Sequence, residues 1–322
     1  MGRNKNHLLR NLLAASVVGA GVFEGVLYKF FQDTFLRKDP DPSEETDQAT
    51  PECYRRFHAQ KRAALADLEK LPMEMLEIHS QEGFCLRGRL YRVKEYNKKV
   101  VIAFHGFHAS GINDMARFVN MYTHLGCDFL IISQRAHELS DGKYITFGVN
   151  EQTDGIRWCR KIQEIYGEDV QILIHGLSMG AATVLMMAGN SALPQNVKAC
   201  IADSPYDDFY LEADHVYGEK IFSEQLRKVM LKNMNLFTQT LAGFRLQDAA
   251  PINAVKNAKI PVLFIHGTAD DFVPCEMGQR LYDVCPGEKE QFLVEGAAHV
   301  CSFTEAPEAY EEHFLAFCRK YL

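Results

Sequence analysis

The amino-acid sequence predicts an α/β fold: a mostly parallel, eight-stranded sheet with helices on both faces and a helical insertion late in the chain. Three observations carry this expectation. Short, fully apolar runs alternate with stretches of helical spacing, the pattern of strands buried on both faces of a parallel sheet. The first two strand-like segments instead flank a tight turn, which adds an antiparallel edge. One long stretch, Pro205 to Ala250, holds no strand-like run and interrupts the alternation.

In order along the chain, Met75 to His79 and Phe84 to Val93 read as two strands around the turn Gln81-Glu82-Gly83. Val100 to Phe104 is a strand followed by a helix near Asn113 to Leu125, and Phe129 to Ser133 precedes a helix near Glu151 to Tyr166. Val170 to His175 leads into a helix that starts at Ser178. Val197 to Ala202, Ile260 to His266 and Gln291 to Glu295 complete the strands, and Ala306 to Tyr321 is the last helix. Upstream, Cys53 to Lys70 has helical spacing, with Phe57, Ala64, Leu65 and Leu68 on related faces. Arg37 to Pro51, with three prolines, several acids and no aliphatic run, reads as a linker. The expected organisation is an N-terminal hydrophobic segment over 1–36, a linker and helix over 37–74, and the α/β domain over 75–322. In the insertion at about 205–250, Leu226, Met230, Leu231, Met234 and Phe237 recur at helical spacing. It follows a strand's carboxyl end, where such sheets bind ligands, and is therefore expected to act as a lid.

Composition narrows the field. A chain of 322 residues, 47% hydrophobic and 24% charged, is too apolar for global disorder and too poor in Gly and Pro for a fibrous protein. A net charge of −7 gives no electrostatic case for nucleic acid as a partner. The nine cysteines are scattered, odd in number and without a C-x-x-C pair, so they read as buried free thiols acting as small hydrophobes. No cofactor and no metal is implied.

The N-terminus pulls elsewhere. Arg3, Lys5 and Arg10 form a basic lead; an apolar stretch from Leu12 to Phe23 follows, Glu24 interrupts it, and Gly25 to Phe31 continues it with Lys29 inside. Three readings stand. Leu12 to Phe31 has the length of one membrane span, although each central charge costs about 2.5–3.5 kcal/mol. The segment also suits an amphipathic helix lying on a membrane or packed on the domain. A signal peptide is the third, but no A-x-A site follows the apolar core. The leading expectation is membrane association through residues 8–31 as a single N-terminal anchor, with a cytoplasmic protein as the alternative. An anchor would keep the basic lead cytoplasmic and turn the domain outward, where nine thiols are awkward.

The chemistry concentrates at Gly176-Leu177-Ser178-Met179-Gly180, a G-x-S-x-G motif between a buried strand and a helix. That context makes a nucleophile elbow, with a strained Ser178 whose neighbours must be tiny. A serine hydroxyl needs a base and the base needs an orienting acid, in the chain order Ser, acid, His. Ile265-His266-Gly267-Thr268-Ala269-Asp270 leaves a strand and supplies Asp270; the adjacent Asp271 reads as solvated or turn-capping, and Asp203, ending another strand, is the rival acid. His299 follows the final strand in the small-residue loop Gly296-Ala297-Ala298 and is the base. His313 reads as a surface residue, while His105, His175 and His266 read as hydrogen-bonding groups around the site. The negative charge that develops on an acyl oxygen calls for two backbone donors: Met179, after the nucleophile, and Phe107 in the loop His105-Gly106-Phe107-His108.

Those motifs, in that order, make residues 75 to 322 resemble the α/β-hydrolase superfamily. Within it, Gln134-Arg135-Ala136-His137 and Gly142-Lys143-Tyr144-Ile145-Thr146-Phe147-Gly148 are similar to bacterial serine hydrolases of peptidase-, esterase- or acyltransferase-like kinds. The resemblance implies a triad of Ser178, Asp270 and His299, with Phe107 and Met179 as oxyanion donors. A serine nucleophile disfavours the cysteine and aspartate branches of the superfamily, and, with no propeller-length repeat before the domain in this sequence, a propeller-gated oligopeptidase is not expected. The expected function is hydrolysis of a small-molecule acyl ester or thioester; an acyltransferase or peptidase using the same residues, and a non-catalytic binding protein on this scaffold, are the alternatives.

Overall fold

The computed structural model describes residues 24–38, 52–218, 221 and 223–322. Its centre is the expected eight-stranded sheet: β1 (Met73–His79), β2 (Cys85–Tyr91), β3 (Lys99–Phe104), β4 (Asp128–Ile132), β5 (Gln171–Leu177), β6 (Val197–Asp203), β7 (Val262–Gly267) and β8 (Lys289–Val294). Their spatial order is β1-β2-β4-β3-β5-β6-β7-β8. The β1–β2 and β2–β4 pairs are antiparallel and every later pair is parallel, so the strand-like pair around Gly83 is the antiparallel edge.

Every residue of β4 and β7 is buried, as the unbroken apolar runs require when both faces are covered. One face packs against α5 (Glu151–Tyr166), α6 (Met179–Ala188) and α10 (Cys275–Val284), through Trp158, Ile162, Leu185 and Leu281. The other packs against α2 (Glu52–Leu68), α4 (Val119–His124) and α12 (Pro307–Tyr321), through Leu68, Tyr122, Phe314 and Phe317. The helix expected near Asn113 to Leu125 is broken into α3 (Gly111–Met115), a 3-10 turn (Ala116–Phe118) and α4. The tighter turn brings Arg117 inward, where its NH1 donates to the Val300 carbonyl at 3.1 Å. Eight of the nine cysteines have described side chains, all free thiols and six of them buried.

A third core lies over one end of the sheet. The insertion holds α7 (Phe209–Gly218) and α8 (Glu224–Phe237), joined to β7 through the short α9 (Pro251–Val255). Against them packs α1 (residues 24–35), with Leu27, Phe31 and Phe35 buried among Phe209, Met234 and Phe244. The chain then continues beside the loop after β4, where Leu36 bridges Tyr144 and the Ile145 N–H donates to the Phe35 carbonyl at 2.8 Å. Within the stretch Leu12 to Phe31 expected as a membrane span, residues 24–31 belong to this helix docked on the domain. Residues 1–23 and most of the linker, 39–51, lie outside the described residues. Among the described residues no helix is long and apolar enough to cross a membrane.

Candidate active site

In a parallel sheet all carboxyl ends point the same way, so the loops after β3, β5, β6, β7 and β8 gather over one edge. Ser178 follows β5 with φ +53° and ψ −115°, a conformation that side-chain-bearing residues rarely adopt. The glycines around it are steric necessities. A Cβ on Gly176 would lie 2.2 Å from the Gly180 carbonyl oxygen, and one on Gly180 would lie 2.2 Å from the Phe104 carbonyl oxygen. Alanine in a helix is ordinarily about 1 kcal/mol better than glycine. At this position the sign reverses: Gly180→Ala is expected to cost more than about 3 kcal/mol, read as a lowered thermal unfolding temperature, because backbone at the end of β3 must move.

The structure brings together the three side chains that lie far apart in sequence. His299 Nε2 is 2.9 Å from Ser178 Oγ, and His299 Nδ1 is 2.7 Å from Asp270 Oδ2. Ser178 and His299 are each 9% exposed, so both are largely withdrawn from solvent. Asp270 is held from behind: its Oδ1 accepts the Phe272 and Val273 N–H groups at 3.1 and 2.8 Å, and His266 Nε2 lies 3.3 Å from Oδ2. Burial pushes the Asp270 carboxyl up, but the hydrogen bonds from His266 and His299 outweigh it and hold it down at about 2. The carboxylate therefore stays ionised across the working range and fixes the Nδ1–H tautomer of His299.

The rival acid lies elsewhere. Asp203 accepts Tyr310 Oη at 3.0 Å and Ser204 Oγ at 3.0 Å, with its carboxyl pushed up by burial against the pull of Arg117. It braces the floor of the site through backbone, its carbonyl accepting the Ser178 N–H at 2.8 Å. Asp271 is exposed, as is His313, which stacks on Phe292 at 4.2 Å. His175 packs under the sheet end against Tyr122 Oη at 2.7 Å.

The Met179 and Phe107 N–H groups have no acceptor among the described residues. The loop that carries Phe107 is fixed by groups that sequence reasoning missed. The Gly106 N–H donates to Asp114 Oδ2 at 2.7 Å, and Gln134 brackets His105 by donating its N–H to Nε2 at 3.0 Å and its Nε2–H to the carbonyl at 2.7 Å. On the far side, Arg117 grips Val300 next to His299, and Phe272 lies 5.1 Å from the imidazole.

A cavity of about 300 Å³ opens onto Ser178. Its walls come from Phe107 and Phe147, from Phe209, Glu212 and Ala213 of α7, and from Phe30, Asp33 and Thr34 of α1. The contribution of α1 was also missed. A signal existed: Leu27, Phe31 and Phe35 recur every four residues, while Lys29 and Asp33, which pair at 2.9 Å, fall outside that apolar stripe.

This fold and this cluster are those of a serine hydrolase of the α/β-hydrolase superfamily. The chain belongs to the prolyl oligopeptidase family, whose model matches residues 133–322. It is 27% identical over 247 residues to the uncharacterized protein YqkD of Bacillus subtilis, covering 76% of this chain and 78% of that one. It is 23% identical over 230 residues to alpha/beta hydrolase domain-containing protein 17C of Xenopus tropicalis, covering 70% of this chain and 64% of that one. Among solved structures it resembles an esterase of Pyrococcus furiosus, with a TM-score of 0.65 at 22% identity over 89% of this chain and 99% of that one. It also resembles the acylaminoacyl peptidase of Pyrococcus horikoshii, with a TM-score of 0.58 at 16% identity over 81% of this chain and 44% of that one.

Proposed function

We propose that the protein hydrolyses an acyl ester or thioester through a Ser178–His299–Asp270 relay. The observation that carries this reading is the pair of short contacts, 2.9 Å and 2.7 Å, that link hydroxyl, imidazole and carboxylate in one line. Ser178 Oγ attacks the acyl carbonyl carbon while its proton passes to His299 Nε2. The resulting oxyanion is held by the Met179 and Phe107 amides, each such donor being worth about 2.7–4 kcal/mol. Collapse expels the alcohol or thiol, which takes the proton from Nε2. Water then gives a proton to the same nitrogen, attacks the acyl-enzyme, and the carboxylic acid leaves as Ser178 is regenerated.

The test is a panel of p-nitrophenyl esters, acyl thioesters and p-nitroanilide peptides, run beside labelling with a fluorophosphonate probe. Ester or thioester turnover with labelling at Ser178 is the expected result. Turnover confined to the peptides would favour a second reading, peptidase activity, which the family membership supports. An unlabelled, inactive protein would leave only a binding role on a hydrolase scaffold.

The apolar wall predicts selectivity for acyl length. Ala213 lies in the cavity, and a larger side chain there occupies acyl space. Ala213→Leu is expected to lower kcat/KM for p-nitrophenyl octanoate at least tenfold more than for the acetate, because lost volume excludes only the longer chain. Equal losses on both esters would remove α7 from the acyl site. The lid role of 205–250 rests on the same placement: α7 walls the cavity from above.

A further inference from the structure

One group in the acyl cavity is chemically out of place. Glu212 lines a chamber whose other walls include the rings of Phe30, Phe107, Phe147, Tyr206, Phe209 and Phe272. It is 4% exposed, and neither carboxyl oxygen has a hydrogen-bond partner among the described residues. A buried carboxyl without a partner is costly, so such groups persist where something else satisfies them. Among the described residues no Lys or Arg lines the cavity, and the acid on its α1 wall, Asp33, is already paired with Lys29 and Lys38.

We propose that Glu212 makes this cavity a site for acyl groups that carry a positively charged nitrogen, so that the substrates are esters or thioesters of amino-substituted acids. The carboxylate would pair with the ammonium while aromatic faces cover it, an arrangement that favours cations over neutral groups of equal size. The inference rests on the hydrolase reading above for the reaction, but not for binding.

Surrounding charges give the pairing a pH signature. Glu212 is buried with Asp270 and Asp207 as charged neighbours. Asp207 is engaged by Arg280, and Asp270 by His299 and His266. The phenol of Tyr206 is also close, and Asp33 with its two lysines faces the same space from α1. Burial first, then Asp270 and Asp207, push the Glu212 carboxyl up to about 8. Below that pH a cationic ligand must displace a proton; above it the carboxylate is already charged. Affinity for a cation therefore rises with pH through about 8, provided the ligand itself stays protonated.

The experiment compares p-nitrophenyl 6-aminohexanoate with p-nitrophenyl heptanoate, in which a methyl group replaces the ammonium; the amine stays charged below about pH 10. At pH 8.5 the wild type is expected to favour the amino ester at least tenfold in kcat/KM, and Glu212→Gln to abolish that preference. A wild-type ratio of one or less, or the same ratio in both proteins, overturns the proposal. Should Glu212→Gln not fold, the wild-type profile decides: KM for the amino ester falling several-fold from pH 6.5 to 8.5, with heptanoate flat, supports it, and parallel profiles overturn it. If neither ester turns over and Ser178 is unlabelled, the hydrolase reading fails by itself. Calorimetry with hexylammonium and 1-hexanol then tests Glu212 directly. Tight binding of hexylammonium alone that is lost in Glu212→Gln upholds the cation site, and no difference between the two ligands rejects it.

Discussion

Ser178→Ala is expected to lower kcat for p-nitrophenyl butyrate by about 10⁶-fold, the scale on which serine relays lose activity when the nucleophile is removed. The size follows from how the groups are joined. Ser178 Oγ has its proton acceptor at 2.9 Å, and that acceptor has its orienting carboxylate at 2.7 Å, so the three side chains work as one unit. His299→Ala should therefore cost about as much as Ser178→Ala, and the double variant little more than either. A residual rate about 10³-fold above water is expected, supplied by the proposed Met179 and Phe107 oxyanion donors and by the cavity. Single-turnover measurements on the three variants check this. Losses that multiplied in the double variant would mean that serine and histidine act independently, which the contact between them does not allow.

How much of this was legible in the sequence depends on where each residue's role is specified. The elbow is a local device: strand, Gly176, Ser178, Gly180 and helix fall within a few residues, and the steric demand that selects glycine acts between chain neighbours and the adjoining strand end. Asp270 and His299 were legible because topology places them, each one loop beyond a parallel strand. The sheet itself was legible for the same reason, since fully buried strands write their burial directly as apolar runs. The antiparallel edge was given away by its turn. What stayed hidden is what three-dimensional packing creates. Residues 24–35 continue the apolar N-terminal stretch, and only the four-residue recurrence of Leu27, Phe31 and Phe35 shows that one face is meant for a protein core. Glu212 carries no signal at all, being an ordinary acid in the first turn of α7 until helix, cavity and sheet end bury it together. Asp114 is equally silent, because its service to the Gly106 amide spans a loop whose conformation no local pattern fixes.

Asp270→Asn should lower kcat by about 10⁴-fold while leaving the fold intact, and the reason is in the hydrogen bonds on the side away from His299. Oδ1 of Asp270 accepts two backbone N–H groups, from Phe272 and Val273, which can be satisfied in the variant only by the amide oxygen. The asparagine NH₂ must then face His299 Nδ1. It donates where the imidazole also donates, so the ring is driven to the tautomer with its proton on Nε2. That nitrogen then donates to Ser178 Oγ and can no longer take the proton that attack releases. Asp203→Asn offers the contrast. Its carboxyl faces Tyr310 and Ser204 rather than His299, so the expected result is a lowered unfolding temperature with kcat changed less than tenfold. The two variants also separate in acid. A carboxyl held at about 2 in the fold and near 3.9 when unfolded stabilises the wild type above pH 4, and that contribution is lost as the pH falls from about 4 to 2. Asp270→Asn should lack this acid-dependent loss, whereas Asp203→Asn should retain it. A kcat loss of 10⁴ in Asp203→Asn, with Asp270→Asn nearly normal, would transfer the orienting role to the end of β6 and undo the relay as drawn.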